Sequence, residues 1–464
     1  MTRQVRLCLN LQATGRHDAA WKTLPPTSDW IAGIDYYTEI ARLAERARFD
    51  AIFIADRLGS LDAASYRRPW RGTDPTVLLA ALACETEHIG LVSTNPAIHG
   101  NPFLLARSIA TLDHVSKGRA GWNIITSQED VTRAALGVDE LLEPQARYRK
   151  AEEFIAAVDA LWASLPEDAV VADAAADVYI DARRTRPVDV TGEFYRTSGV
   201  LPLPGGYQGR RPVLFQAGAS RQSKELGARW ADALFTSQRL PELSREFSAE
   251  VKGLAAANGR NPDDLLVLPG LFTVLGATEA AARERKRELD ELLAVGPLVE
   301  LLTAQLEFDV SRLDLDAQLP YAELAQRAAA PAVTARRDQL VAEARRRGLT
   351  IRQLLFHNLS GGQRLIVGTP EQVADDIIEW VDTRASDGFV INIDVQPAGF
   401  VEFIDGVVTQ LQDRGRFRRE YAHDTLRGNL GIAGALPGGG AGGGGGGVTA
   451  TGESRGPVHD GERR

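Results

Sequence analysis

The side chains best suited to chemistry sit inside otherwise apolar runs. In "GWNIITS" (Gly121–Ser127), Asn123, Thr126 and Ser127 interrupt Trp122, Ile124 and Ile125. Buried polar groups of this kind need hydrogen-bonding partners. An unpaired buried amide costs about 1–3 kcal/mol, so Asn123 must meet either neighbouring backbone or a ligand. A second stretch, "QAGAS" (Gln216–Ser220), joins a strand-like run to a helical one through small residues. Its N–H groups and the Ser220 hydroxyl could hold an anion at a helix N-terminus. Close helix–strand packing at Gly218 is the alternative use.

Standard protein-borne machinery is missing. The chain has no G-x-S-x-G elbow, P-loop, H-E-x-x-H or Cys-x-x-Cys. Its seven histidines, at 17, 88, 99, 114, 357, 423 and 459, show no metal-ligand spacing. No protein nucleophile and no metal are therefore expected, which points to chemistry carried by an organic cofactor.

Composition narrows the setting. A net charge of −9, with the Arg345–Arg347 run embedded among acidic helix residues, argues against a nucleic-acid partner. No apolar run reaches the roughly 18 residues of a membrane span. The N-terminus lacks the pattern of a signal peptide, and a cytoplasmic protein is expected. Cys8 and Cys84 lie in apolar stretches and read as buried free thiols.

The elements that must position these residues alternate along the chain. Strand-like runs fall at Val5–Leu11, Ala51–Asp56, Ile89–Thr94, Gly121–Ser127, Pro212–Gly218, Ala231–Ser237, Leu265–Gly276 and Gly388–Val395. They are short and β-branched without clean alternation, as parallel strands covered on both faces are. Amphipathic helical patterns lie between them. One starts at Asp74–Pro75 and another at Thr369–Pro370, each a capping residue before proline. Eight strands with intervening helices predict an α/β fold, a (β/α)8 TIM barrel, with a doubly wound open sheet as the alternative.

Residues 1–432 would form this barrel. Insertions at about 165–210, before strand five, and about 279–350, before strand eight, are expected as lids or pocket walls. Residues 433–464 form a glycine-rich tail expected to be disordered.

A barrel of this kind keeps its site at the C-terminal ends of its strands. Asp56, Thr94, Asn123 and Ser127 recur there, and the Gly218–Ala219–Ser220 turn follows strand five. A helix cap at Asp56, turns at Thr94 and Ser127, and core packing of Tyr148 are the structural alternatives. His17, in the loop after strand one, is a candidate for the substrate pocket; His99 and His357 have weaker claims.

Several stretches together resemble the bacterial luciferase-like flavin monooxygenases. They are "HVSKGRAGWNIITS", "RYRKAEEF" (Arg147–Phe154), "PVLFQAGAS", "VGTPEQVADDI", "RHDAAWK" (Arg16–Lys22) and "FRREYAHDTLRGNLGI". Within that superfamily they are most similar to the nitrilotriacetate monooxygenase / dibenzothiophene-sulfone monooxygenase branch. The resemblance covers about residues 1–432.

It implies a barrel that takes FMN as FMNH2 from a separate NAD(P)H-dependent flavin reductase, and a homodimer. Oxygen adds at flavin C4a, and the resulting peroxyflavin oxygenates a small organic substrate, beside nitrogen or sulfur in this branch. By matching motif position, Asp56, Thr94, Asn123, Ser127, Tyr148, Gly218, Ala219 and Ser220 would surround the FMN. Asn123 and Ser127 would face the isoalloxazine, with Tyr148 and the Gly218–Ser220 turn at the phosphate.

Two positions depart from the family's pattern. Ala219 stands where a serine is frequent, and Pro144 stands where several relatives carry histidine. No residue is assigned as proton donor. An F420-dependent oxidoreductase on the same barrel and a non-catalytic flavin-binding paralogue are the rival readings.

Overall fold

The computed structural model describes residues 3–27, 33–56, 58–61, 65–67, 72–126, 130–138, 142–327, 331–357, 359 and 362–433. Eight parallel strands close on themselves: β1 (Arg6–Asn10), β2 (Ala51–Ile54), β3 (Gly90–Pro96), β4 (Ala120–Ile125), β5 (Val213–Ala217), β6 (Ala233–Thr236), β7 (Leu266–Leu275) and β8 (Gly388–Ile393). β8 closes the ring on β1, with Leu9 beside Ile391. The chain is therefore a (β/α)8 barrel, and the open-sheet alternative falls.

Both faces of the strands are covered, which explains their continuous apolar character. Inward-facing Cys8, Phe53, Val92, Phe215, Leu268 and Val390 fill the barrel. Outward-facing Leu7, Leu9, Ile52, Phe389 and Ile391 pack beneath the helices. Those helices include α1 (Ile34–Arg46), α2 (Pro75–Cys84), α3 (Pro102–Val115), α4 (Pro144–Ser164), α5 (Arg221–Trp230), α6 (Pro241–Ala257) and α7 (Pro370–Asp382). Asp74 caps α2 by accepting from the N–H groups of Thr76 and Val77, and Thr369 with Gln372 forms a capping box on α7.

The barrel floor is sealed by a short helix, Leu426–Leu430. Leu426 and Leu430 join the inner core. Between them in the chain, the Arg427 guanidinium reaches buried Asp232 at 2.8 Å, with Arg211 at 3.3 Å on the same carboxylate. Burial pushes the Asp232 carboxyl up, but the Arg427 and Arg211 charges outweigh it and hold it at about 2.

Two expectations need correction, and one element was not expected. Cys84 is exposed, because the buried face of α2 is formed by Leu78, Leu79, Leu82 and Ala83 and position 84 falls outside it. The insertion at 165–210 is not a lid. It folds as two hairpins, Val170–Asp173 with Val178–Ile180 and Val188–Thr191 with Arg196–Gly199. The second hairpin lies along the outside of α4, where the Glu153 carboxylate accepts from the Tyr195 N–H at 2.6 Å and Tyr195 meets Phe154 edge-on. Finally, an extra strand, Arg364–Gly368, pairs with the upper half of β7.

The second insertion is helical and leaves the C-terminal end of β7, so it stands on the mouth side. Its helices are Glu279–Glu291, Val295–Leu306, Tyr321–Gln326, Pro331–Arg347 and Ile351–His357, with a core of their own around Leu302, Leu306, Leu340 and Leu354. Among the described residues no helix is long and apolar enough to cross a membrane. The segment from residue 434 onward lies outside the described residues.

Candidate active site

Near the C-terminal ends of the strands the inner lining changes from apolar to amide. Asn10, Thr94, Asn123 and Asn392 each stand two residues beyond an inward position, at Cys8, Val92, Gly121 and Val390. All four are buried. Thr94 and Asn123 are direct partners between β3 and β4, and Asn123 Nδ2 donates to Thr94 Oγ1 at 3.0 Å. Asn123 Oδ1 meets no partner among the described residues. On the other side of the ring Asn10 Nδ2 donates to Asn392 Oδ1 at 2.7 Å, and Asn392 Nδ2 donates to the Val390 carbonyl at 3.0 Å. Trp122 faces away from the barrel interior, its indole N–H donating to the Asn95 carbonyl at 3.0 Å.

Asp56 lies two residues past β2, half-buried at the same end. Ser127 lies outside the described residues.

After β5 the chain makes the expected small-residue turn. Gly218 adopts φ +139°, a region L side chains rarely enter, and a Cβ there would collide with the Ser223 hydroxyl. Gln216 Nε2 fixes this turn by donating to Ser223 Oγ at 2.6 Å and to the Ala217 carbonyl at 2.7 Å. Ser220 caps α5, accepting from the Ser223 N–H at 3.2 Å. The Tyr148 hydroxyl comes from α4 to within 3.2 Å of Ser220 Oγ. Ala219 and Ser220 are exposed, so the turn is open to a ligand. A cleft of about 350 Å³ between α4 and α5, lined by Tyr148, Arg149, Gln222 and Arg229 among others, adjoins it. The structure thus brings Thr94 to Asn123, and Tyr148 to Ser220.

His17, the candidate for the substrate pocket, sits in the loop after β1. It is buried, its Nδ1 accepts from the Ala19 N–H at 3.1 Å, and its Nε2 lies 3.0 Å from Asp290 Oδ1. An accepting Nδ1 places the proton on Nε2. Both ring nitrogens then have protein partners. Asp290 is held in turn by Lys286 Nζ at 2.6 Å. His17 therefore tethers the loop after β1 to the insertion helix Glu279–Glu291.

A second tether involves His357. Its Nε2 lies 2.9 Å from Glu343 Oε1, and Glu343 also pairs with Arg239 at the end of β6. Burial pushes the Glu343 carboxyl up, yet the adjoining His357 imidazole and the Arg239 charge outweigh it and hold it at about 2.

Sequence reasoning passes over Asn10 and Asn392. "LCLNL" and "VINIDV" carry the same signal that picked Asn123: an amide inside an apolar strand.

Residues 7–387 match the sequence profile of the luciferase-like monooxygenases. The chain belongs to the luciferase-like monooxygenase family. Among luciferase-like relatives, the N-acetyl-S-(2-succino)cysteine monooxygenase of Bacillus subtilis (strain 168) is 38% identical over 433 residues, covering 93% of this chain and 97% of that protein. Nitrilotriacetate monooxygenase component A of Aminobacter aminovorans is 38% identical over 445 residues, with the same coverages of 93% and 97%. A solved luciferase-like structure, the EDTA monooxygenase of Chelativorans sp. BNC1, has a TM-score of 0.78 at 32% identity, covering 93% of this chain and 99% of its own.

Proposed function

We propose that this chain is the oxygenase component of a two-component, FMNH2-dependent monooxygenase that acts on a small organic substrate beside nitrogen or sulfur. The observation that carries the reading is Asn123 Oδ1, a buried acceptor without a partner among the described residues, in an amide layer at the barrel mouth. A flavin ring offers an N–H to such an acceptor, and its phosphate suits the turn after β5.

The residues fit reduced FMN in kind. Asn123 would accept from the ring, with Thr94 holding the Asn123 amide in place through their hydrogen bond. The backbone N–H groups at Gly218–Ser220, the Ser220 hydroxyl and the Tyr148 hydroxyl would hold the phosphate, helped by the α5 N-terminus. Asp56 and Ser127 complete the proposed set. Ala219 offers only its backbone to the phosphate.

Bound reduced flavin would supply the electrons and the site of oxygen activation. The chain's own task is to orient the ring and exclude water. The helical insertion is placed for the second role, since His17–Asp290 and Arg239–Glu343 tie it to the strand-end loops. A separate NAD(P)H-dependent flavin reductase would deliver FMNH2, and a homodimeric assembly in the cytoplasm accompanies this reading.

The experiment is reconstitution with a flavin reductase, NADH, FMN and oxygen, using nitrilotriacetate and N-acetyl-S-(2-succino)cysteine as first substrates. Anaerobic titration with reduced FMN and with reduced F420 accompanies it. Tight binding of reduced FMN and flavin-dependent product are expected. Preference for F420, or no flavin binding, would defeat the proposal.

A further inference from the structure

Between the barrel mouth and the second insertion lies a cavity of about 150 Å³. One of its lining residues is Ser237, one residue past β6 and two beyond inward-facing Phe235. Phe235 is partly exposed and packs on Phe53 with ring centroids 5.5 Å apart, so the mouth has an aromatic floor beside Ser237. Leu240 and Leu243, at the start of α6, form one wall of the cavity. Ala342, on the insertion helix Pro331–Arg347, belongs to the other.

The two walls are braced apart. Arg239 crosses from the loop after β6 to pair with Glu343 on the insertion helix, and its Nε donates to the Gly362 carbonyl at 3.0 Å. Glu343 is met in turn by His357 Nε2 at 2.9 Å. With that span fixed, Leu243 stays 48% exposed beside the gap. A leucine at position 342 would fill the space, whereas alanine leaves it open. Protein interiors keep few voids larger than a water molecule, and an apolar cavity of about 150 Å³ is large enough to accept benzene. Of the charged lining, Arg239 and Glu343 pair with each other and Arg346 is exposed to solvent. The surface left for a ligand is the apolar one, which gains by being covered.

We propose that this cavity is a substrate subsite for a compact apolar group about the size of a benzene ring, and that the substrate is a sulfur or nitrogen compound carrying such a group. The reacting atom rests on the flavin-dependent reading of the same mouth; the subsite rests on the cavity itself.

The probe is thioanisole, a methyl sulfide bearing one phenyl ring. Dimethyl sulfide, which has the same reacting atom and no ring, is the control. Binding to the full chain is followed by ligand-observed NMR. The wild type is expected to bind thioanisole, and Ala342→Trp, which fills the cavity from the insertion, should weaken binding by about tenfold or more. Leu243→Trp, which fills it from α6, should do the same, so that a fold defect in one variant does not decide the outcome. With reductase, NADH, FMN and oxygen, wild-type kcat/KM for thioanisole should exceed that for dimethyl sulfide by about tenfold or more, and filling the cavity should abolish the preference. Anaerobic titration with reduced FMN reports separately on the flavin reading. Its failure in the wild type would defeat that reading and leave the NMR result to decide the subsite. Three results would each overturn the proposal: no binding of thioanisole, undiminished binding in both filled variants, or, with reduced FMN bound, no preference for thioanisole over dimethyl sulfide.

Discussion

Replacing Asn123 with leucine separates a binding role from a packing role by sign. The substitution is close to isosteric and removes two features at once. It deletes the hydrogen bond from Asn123 Nδ2 to Thr94 Oγ1, whose length is 3.0 Å, and a typical bond of this type contributes about 1 kcal/mol. It also deletes Oδ1, a buried acceptor with no partner among the described residues, and relief of such a group returns about 1–3 kcal/mol. Without ligand, Asn123→Leu should therefore range from neutral to about 2 kcal/mol more stable.

With reduced FMN the sign reverses. The ring loses its acceptor in a water-poor site, and about 1.4–2.8 kcal/mol of lost binding is a ten- to hundredfold rise in Kd. Denaturant unfolding of the ligand-free protein and anaerobic titration with reduced FMN measure the two halves. Marked destabilisation without ligand, together with unchanged flavin affinity, would show that Asn123 serves the barrel and not the cofactor.

Arg427→Met should destabilise the barrel by about 3–5 kcal/mol, as expected when one partner of a buried ion pair is removed. The Asp232 carboxyl is held at about 2 by burial opposed by the Arg427 and Arg211 charges. Its contribution to stability is therefore present above the usual carboxyl range and lost as pH falls towards 2. Urea unfolding at pH 7 and pH 3 should show that acid-dependent loss in the wild type and a smaller one in Arg427→Met; parallel slopes in the two proteins would reject the account. His17→Leu should free the loop after β1 from the insertion helix, read as faster hydrogen exchange across residues 11–24. Unaltered exchange there would mean the 3.0 Å contact with Asp290 carries no restraint.

Much of the barrel could be read from apolar runs alone. The strand expected at Gly121–Ser127 forms at Ala120–Ile125, and that at Leu265–Gly276 forms at Leu266–Leu275. An amide inside an apolar strand marks Asn123, which is buried, and the same pattern marks buried Asn10 and Asn392. The commitment of His17 was not legible, because its partner Asp290 is 273 residues away and local pattern holds no record of such pairs. The first insertion's position was recoverable from topology: a segment between a helix and the next strand belongs to the end of the barrel away from the mouth.

Closure of the barrel has a consequence for how the chain is made. β1 pairs with β8, and the floor is completed only by Leu426 and Leu430. During synthesis one edge of the nascent sheet stays unpaired until residues 388–393 emerge, and its interior stays open for longer still. Unpaired strand edges and uncovered apolar surface are what draw partly made chains into aggregates. The protein's vulnerable period is therefore its biosynthesis, and chaperone demand should fall on nearly full-length intermediates.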